Sequence, residues 1–183
     1  MEERIKNNNI RAMVLTALMI ALTFVAGSII KIPTLNGFIQ PGDCMVLLGA
    51  VLLGKKRGAL SGAVGMAFVD ITAGYLIWAP FTFIIKGVMA YFTGVILDRI
   101  KEKTYRTYLI AFIVGGVINI VGYFIGNITI GGIIIGTVSG FIPSIIYAGG
   151  LVLGDSLQSI VGIIIALILA PIAYKARIKF NLL

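Results

Sequence analysis

The chain has 183 residues, 59% of them apolar and only 12% charged, with 23 glycines, a net charge of +8 and a mean hydropathy of +1.07. A soluble domain carries roughly a quarter of its residues as charges, so half that proportion describes a chain whose solvent is mostly lipid and argues against a soluble enzyme. The sequence contains no histidine, which excludes a His-based triad and His-ligated metal sites, and the lone Cys44 excludes a disulfide framework.

A bilayer core of ~30 Å needs about 20 apolar residues in a helix. On that measure the sequence predicts an all-α, polytopic protein: one domain over residues 1–183, a bundle of six transmembrane helices. The expected spans are about 10–30, 39–54, 58–75, 80–98, 107–126 and 155–175. The first follows basic residues, as a signal peptide would, but it is longer than a signal-peptide core and is read as a retained span. The second is short, and Gly54-Lys55-Lys56-Arg57-Gly58 separates it from the third. Between the fifth and sixth lies 127–154, apolar but broken by Gly131, Gly132, Gly136, Gly140, Pro143, Gly149 and Gly150. Irregular backbone at membrane depth survives only when buried in protein or lining a cavity. The segment is therefore a candidate cap or wall of a binding site; the alternative is a further helix pair, giving eight spans.

Thirteen of the fifteen basic residues fall in four clusters: Arg4/Lys6/Arg11, Lys55/Lys56/Arg57, Arg99/Lys101/Lys103/Arg106 and Lys175/Arg177/Lys179. Their spacing fits loop anchors on one side of a membrane and not a stripe that tracks phosphates, so no nucleic acid partner is expected. By the positive-inside rule both termini are cytoplasmic, which six spans satisfy.

Ionised side chains within a span cost at least ~2.5–3.5 kcal/mol on insertion scales, so each needs a reason. Asp43, Asp70, Lys86 and Asp155 qualify, and all lie toward the side opposite the basic clusters. Asp70 and Lys86 stand eight residues either side of Trp78. In an antiparallel hairpin they share a depth, face the bundle interior and are placed to pair, either structurally or at a site. Asp43 and Asp155 open the second and sixth spans, where a carboxylate suits the positive end of a helix dipole; they are helix caps or part of a polar outer pocket. Around them are Asn36, Gln40, Tyr75, Trp78, Thr82, Asn119, Tyr123, Asn127, Tyr147 and Gln158. Tyr75 and Trp78 taken singly read as an interfacial belt, whereas Asn119 is too deep for that. Aromatic faces with a few hydrogen-bonding groups suit a small, flat, polar ligand. Small residues one turn apart, at Ala17/Ala21, Gly58/Gly62 and Gly122/Gly126, permit close helix approach, inside the bundle or against another membrane subunit. The sequence contains no GxxxxGK[ST] loop, no metal-binding cluster and no HExxH motif, so ATP binding by that loop and metal-assisted hydrolysis are not expected of this chain.

With these residues in view, the sequence resembles the substrate-binding S components of energy-coupling factor (ECF) vitamin transporters. The resemblance runs through Ile30-Lys-Ile-Pro33, Asn36-Gly37, Gly42-Asp43, Leu47–Gly54, Gly58, Gly62, Asp70, Gly74-Tyr75, Ala79-Pro80-Phe-Thr82-Phe-Ile-Ile-Lys86-Gly87, Gly122-Tyr123-Phe124 and Gln158 through Gly162. It implies a six-helix, cell-membrane protein that binds a vitamin near the outer face, with the loop after the first helix as a gate. It further implies that Ala17 and Ala21 form an AxxxA contact with a transmembrane coupling subunit, driven by two ATPase subunits that bind the ATP. No cofactor is then expected in this chain. The pattern is nearest to the pyridoxine, hydroxymethylpyrimidine and riboflavin types, with pantothenate as a further alternative. Asp155 departs from it, since the family often has Asn there. A self-sufficient secondary transporter using an Asp70/Lys86 pair is the competing reading.

Overall fold

The computed structural model describes residues 2–29, 31–34, 37–100, 102–134, 136, 138 and 140–179. Apart from one small hairpin the described chain is helical: α1 (Glu2–Ile29), β1 (Ile32–Thr34), β2 (Gly37–Ile39), α2 (Gly42–Thr72), α3 (Ala79–Arg99), α4 (Tyr105–Gly126), a π-helix (Asn127–Ile134) and α5 (Phe141–Lys179). Four helical stretches, Asn9–Ile29, Ala79–Arg99, Tyr105–Gly131 and Phe141–Lys179, are long and apolar enough to cross a membrane.

The helices are built inside out relative to those of a soluble protein. Along α1, Met13, Val14, Leu18, Leu22 and Val25 are exposed, while Ala12, Thr16, Met19, Thr23 and Gly27 are buried. The buried set recurs every three or four residues, so it forms one face. Its two hydroxyls are silenced by donating to the carbonyls one turn back, Thr16 to Ala12 at 2.7 Å and Thr23 to Met19 at 2.8 Å. From Met13 to Ile29 the outward face is left wholly apolar, as lipid requires.

α2 is formally one element of 31 residues, but Gly54 breaks it with φ 73° and ψ −179°. Only glycine adopts such a conformation cheaply. A Cβ placed on Gly58 would lie 2.7 Å from the backbone of Ala50, and one on Gly62 would lie 2.9 Å from Val46. In an uninterrupted helix residues eight apart are separated by about 12 Å, so the two halves, 42–53 and 55–72, fold back on each other antiparallel. The reversal falls at the charged Gly54–Gly58 interruption. Arg177 of α5 donates to the Val51 carbonyl at 2.8 Å, supplying a partner near the break.

The first half of α2 sits at the centre of the bundle. Cys44, Val46, Leu47, Leu48, Ala50, Val51 and Leu53 are all buried, packed with Met66, Met89, Tyr108, Phe112, Ala166 and Ala170. A segment enclosed on every side needs no lipid-facing stripe, which explains how so short an apolar run takes its place in the core. α2 and α3 are joined by a turn in which Gly74 takes φ +86° and the Tyr75 N–H donates to the Asp70 carbonyl at 2.8 Å. Pro80 lies in the first turn of α3, where its missing N–H costs nothing. At the other end of α3 the Lys103 ammonium donates to the Leu97 and Ile100 carbonyls. Thr104 then caps α4 by accepting from the Thr107 N–H.

The segment between residues 127 and 154 is irregular only in part. Asn127–Ile134 prolongs α4 as a π-helix, and α5 begins at Phe141, well before residue 155, running unbroken through Gly149, Gly150 and Gly154. Each helical glycine costs about 1 kcal/mol relative to alanine, whereas an unpaired backbone group in lipid costs several. The chain therefore keeps its helical hydrogen bonds through Gly149, Gly150 and Gly154, while the break falls around Gly136 and Gly140, which take φ +67° and +105°.

Close approach is the reason for other glycines. A Cβ on Gly94 would lie 2.5 Å from the Lys55 Cα, a backbone atom that cannot swing aside, while one on Gly149 meets nothing within 4 Å. Gly94→Ala is accordingly expected to destabilise the protein by about 2 kcal/mol, in the range for overpacked cores. Gly149→Ala should leave the thermal unfolding midpoint in detergent unchanged or raise it. Equal midpoints for the two variants would refute this packing of α3 against the α2 reversal.

Candidate functional site

Side chains from four helices meet in a fully enclosed polar cluster. The Lys86 ammonium of α3 donates to Asp43 Oδ1 of α2 at 2.5 Å and to Asn119 Oδ1 of α4 at 2.7 Å. It also stands 4.9 Å from the centre of the Tyr123 ring, a cation–π contact. Asn119 Nδ2 donates to Asp43 Oδ2 at 3.2 Å and to Ser159 Oγ of α5 at 3.0 Å. Gln158 Nε2 donates to Asp43 Oδ2 at 3.1 Å. The side chains of Asp43 and Lys86 are both 0% exposed. Charge and hydrogen-bonding capacity are thus matched inside the cluster, which is what a buried ion pair requires.

A second layer lies one turn nearer the α2–α3 turn. Thr82 Oγ1 and the Tyr123 hydroxyl are 3.2 Å apart. The Trp78 ring packs on Tyr123 with centroids 6.0 Å apart and planes inclined by 42°. Thr82 is also within hydrogen-bonding reach of the Asp70 carboxylate. Asp155 approaches the layer from α5, so that Tyr123 has both Asp70 and Asp155 in its surroundings. Asp70 Oδ2 and Asp155 Oδ2 are buried atoms with no hydrogen-bond partner.

Helix register explains both layers. Gly42 abuts Met66 across the α2 reversal, and Gly87 of α3 abuts Ala63. Asp43 therefore stands level with Lys86, whereas Asp70 stands level with the start of α3, about 9 Å further along at 1.5 Å per residue. The expected Asp70–Lys86 ion pair is corrected on this ground: Lys86 is held by Asp43, and Asp70 lies beside Thr82 instead. Asp43 does lie in the first turn of α2, as the helix-dipole reading expects, whereas the capping reading of Asp155 fails. Asp43 turns its carboxylate into the bundle, and the side chain that receives the Gly42 N–H is Gln40, at 2.5 Å. Asp155 lies in the middle of α5, far from any helix N-terminus.

Of the other expected site residues, Tyr75 is half-buried in the α2–α3 turn. Tyr147 packs its ring on Gly131 of the π-helix, apart from the cluster. Asn36 lies outside the described residues. Ala17 and Ala21 are exposed on α1, which contributes nothing to the polar cluster. Two contributors were not singled out from sequence. Ser159 completes the Asn119 hydrogen bonds, and Gly162 lets α5 approach α2, since a Cβ there would lie 2.8 Å from the Asp43 Cβ. Both fall inside the Gln158–Gly162 stretch, and a hydroxyl next to a buried amide is the signal that could have found the serine.

The sequence model of the family described as "ECF-type riboflavin transporter, S component" matches residues 7–176. Among curated proteins, the chain is 29% identical over 178 residues to the thiamine precursor transporter HmpT of Lactococcus lactis subsp. cremoris (strain MG1363), covering 94% of this chain and 93% of that one. It is also 38% identical over 96 residues to an uncharacterized protein of Pyrococcus woesei, covering 51% of this chain and 62% of the relative.

Proposed function

We propose that this chain, which belongs to the ECF-type riboflavin transporter S component family, captures a water-soluble vitamin or vitamin precursor from outside the cell. It is a multi-pass membrane protein of a transporter family, not an enzyme. The substrate is a small, flat, polar heterocycle of the pyridoxine or hydroxymethylpyrimidine kind; the HmpT relative, a thiamine precursor transporter, favours the second. It docks against Trp78 and Tyr123, with Thr82, Asp70 and Asp155 around it. The Asp43–Lys86–Asn119–Gln158 cluster forms the sealed floor. This cluster is the observation that carries the reading, because it draws polar groups from four helices to one place beneath an aromatic wall. Tyr75 stands at the rim, in the α2–α3 turn.

The chain crosses the membrane six times as one domain, the two halves of α2 counting separately, with both termini and all four basic clusters cytoplasmic. Import is driven by ATP bound in two ATPase subunits and transmitted through a transmembrane coupling subunit that meets α1 at Ala17 and Ala21. The competing ion-coupled mechanism needs a free Asp70–Lys86 pair, and the 2.5 Å contact of Lys86 with Asp43 takes that lysine away.

Trp78 is the single tryptophan and reports on the site directly. Purified protein titrated with pyridoxine, hydroxymethylpyrimidine, riboflavin and pantothenate is expected to show saturable quenching by one of them, with a Kd below about 1 μM. The same compound should appear by mass spectrometry in protein purified from cells. No saturable response to any of the four, with nothing co-purifying, would end the proposal.

A further inference from the structure

We infer that the groove between α1 and the second half of α2 is a lipid site, which seats an acyl chain of an anionic phospholipid while Arg57 holds the headgroup phosphate. The groove shares no residue with the polar cluster.

The groove has a volume of about 570 Å³ and runs along α1 from Asn9 to Ile20, with Arg57 and Leu60 of α2 as its other wall. The eleven steps from Asn9 to Ile20 rise about 16 Å at 1.5 Å per residue. Half of a ~30 Å hydrocarbon core is about 15 Å. The groove is therefore one leaflet deep. Its wall is graded as a phospholipid is. Ala12, Met13, Ala17, Ile20 and Leu60 offer apolar surface, and Thr16 is made apolar by donating its hydroxyl to the Ala12 carbonyl at 2.7 Å. The polar groups, Arg57 and Asn9, are at one end. Gly65 of α2 abuts Ile20 and Thr23, and Gly27 abuts Val69, so the two helices run parallel. Counting back from Gly65 sets Arg57 near Met13, about one turn from Asn9.

Charge decides which lipid the groove takes. Among the described residues Arg57 has no carboxylate at salt-bridge distance, whereas Lys55, two residues away, is paired with Asp98 at 3.5 Å. A guanidinium is a planar fork of donors that fits two phosphate oxygens at once, and its long stem lets it reach the interface from within the first turn. The chain of the lipid adds little discrimination, because lipid tails are as apolar as leucine and a tail gains only packing by entering a lipid-facing groove. Selectivity therefore resides in the headgroup, and it favours an anionic one. Ala17 lines the same groove, so a partner helix that packs there must first displace the lipid.

The test is native mass spectrometry of the full-length protein in detergent micelles doped with equal amounts of palmitoyl-oleoyl phosphatidylglycerol and phosphatidylcholine. Wild-type protein is expected to retain one phosphatidylglycerol, preferred over phosphatidylcholine by about fivefold, the equivalent of ~1 kcal/mol for one basic residue at the membrane surface. Arg57→Gln should bring that preference close to parity. Arg99→Gln removes a charge from another basic cluster, outside the groove, and should leave the preference unchanged. Ala17→Trp fills the groove, keeps every charge and should remove the bound lipid. Equal retention of the two lipids by wild type would overturn the site. So would equal losses in the Arg57 and Arg99 variants, which would show the basic clusters attracting lipid as a whole. Lipid retained by Ala17→Trp would place it elsewhere, and a dimer free of lipid would give the groove to a second copy of the chain; either result refutes the assignment. Should Ala17→Trp fail to fold, the contrast between Arg57→Gln and Arg99→Gln still decides. None of these readouts depends on a vitamin.

Discussion

Lys86→Met is expected to lower the unfolding free energy by about 3–5 kcal/mol, the range found when one member of a buried ion pair is removed. The loss is large because of what remains. Asp43 is 0% exposed and would keep only Asn119 and Gln158 as donors, with no positive charge to offset it. Asn119 would lose the partner of its Oδ1 in the same stroke. The double variant Asp43→Asn with Lys86→Met removes both charges while conserving volume, and should recover most of the lost stability. Thermal unfolding in detergent measures both. The experiment also separates a structural lysine from a ligand contact. If Lys86 holds the bundle together, the double variant still quenches Trp78 with substrate. If Lys86 touches substrate, the double variant would be stable yet silent, and the two-layer description of the site would be wrong.

Which polar residues are buried in the bundle was legible in the sequence, but which of them touch was not. Lys86, Asp43, Asn119 and Gln158 stand out because each is polar within an otherwise apolar run, and a membrane interior tolerates few such residues. Nothing in the linear order says that Asp43 is nearer to Lys86 than Asp70 is. Asp70 is 16 residues away and Asp43 is 43 residues away, and symmetry about Trp78 favours the closer one. The choice is made by the α2 reversal at Gly54, which returns residue 66 to the level of residue 42 and leaves Asp70 a turn beyond. Register between packed helices is set by contacts such as Gly62 against Val46 and Gly162 against Asp43, and these are visible only once the chain is folded. The stretch from 127 to 154 was legible only in part, since the break occurs at Gly136 and Gly140 but not at Gly149, Gly150 or Gly154. Its glycines signal a broken backbone in water, where solvent can take over the freed hydrogen bonds. Among apolar neighbours that exchange is not available, so the helix persists.

Replacing Ala17 and Ala21 with tryptophan is expected to abolish uptake while leaving substrate affinity within about twofold, because stacked ligand contacts and the α1 surface are separate. Both alanines lie on the exposed face of α1, alongside Met13, Leu18, Leu22 and Val25. Beside Ala17 runs a groove of about 570 Å³, bordered by Met13, Thr16 and Ile20 of α1 and by Arg57 and Leu60 of α2. A methyl side chain there leaves room for a partner helix to approach backbone to backbone, and an indole fills that room. Overpacking an interface costs about 1–3 kcal/mol per site, so two such sites reduce assembly on the order of a hundredfold or more. The polar cluster, by contrast, is built from α2, α3, α4 and α5, with no side chain from α1. Proteoliposomes holding the variant, the coupling subunit and the two ATPases should therefore take up labelled substrate at background rate on addition of ATP. The purified variant should meanwhile titrate as wild type by Trp78 fluorescence. Undiminished uptake would move the docking surface off this face of α1. A loss of binding equal to the loss of uptake would mean that α1 does help to shape the substrate site, which the described contacts give no reason to expect.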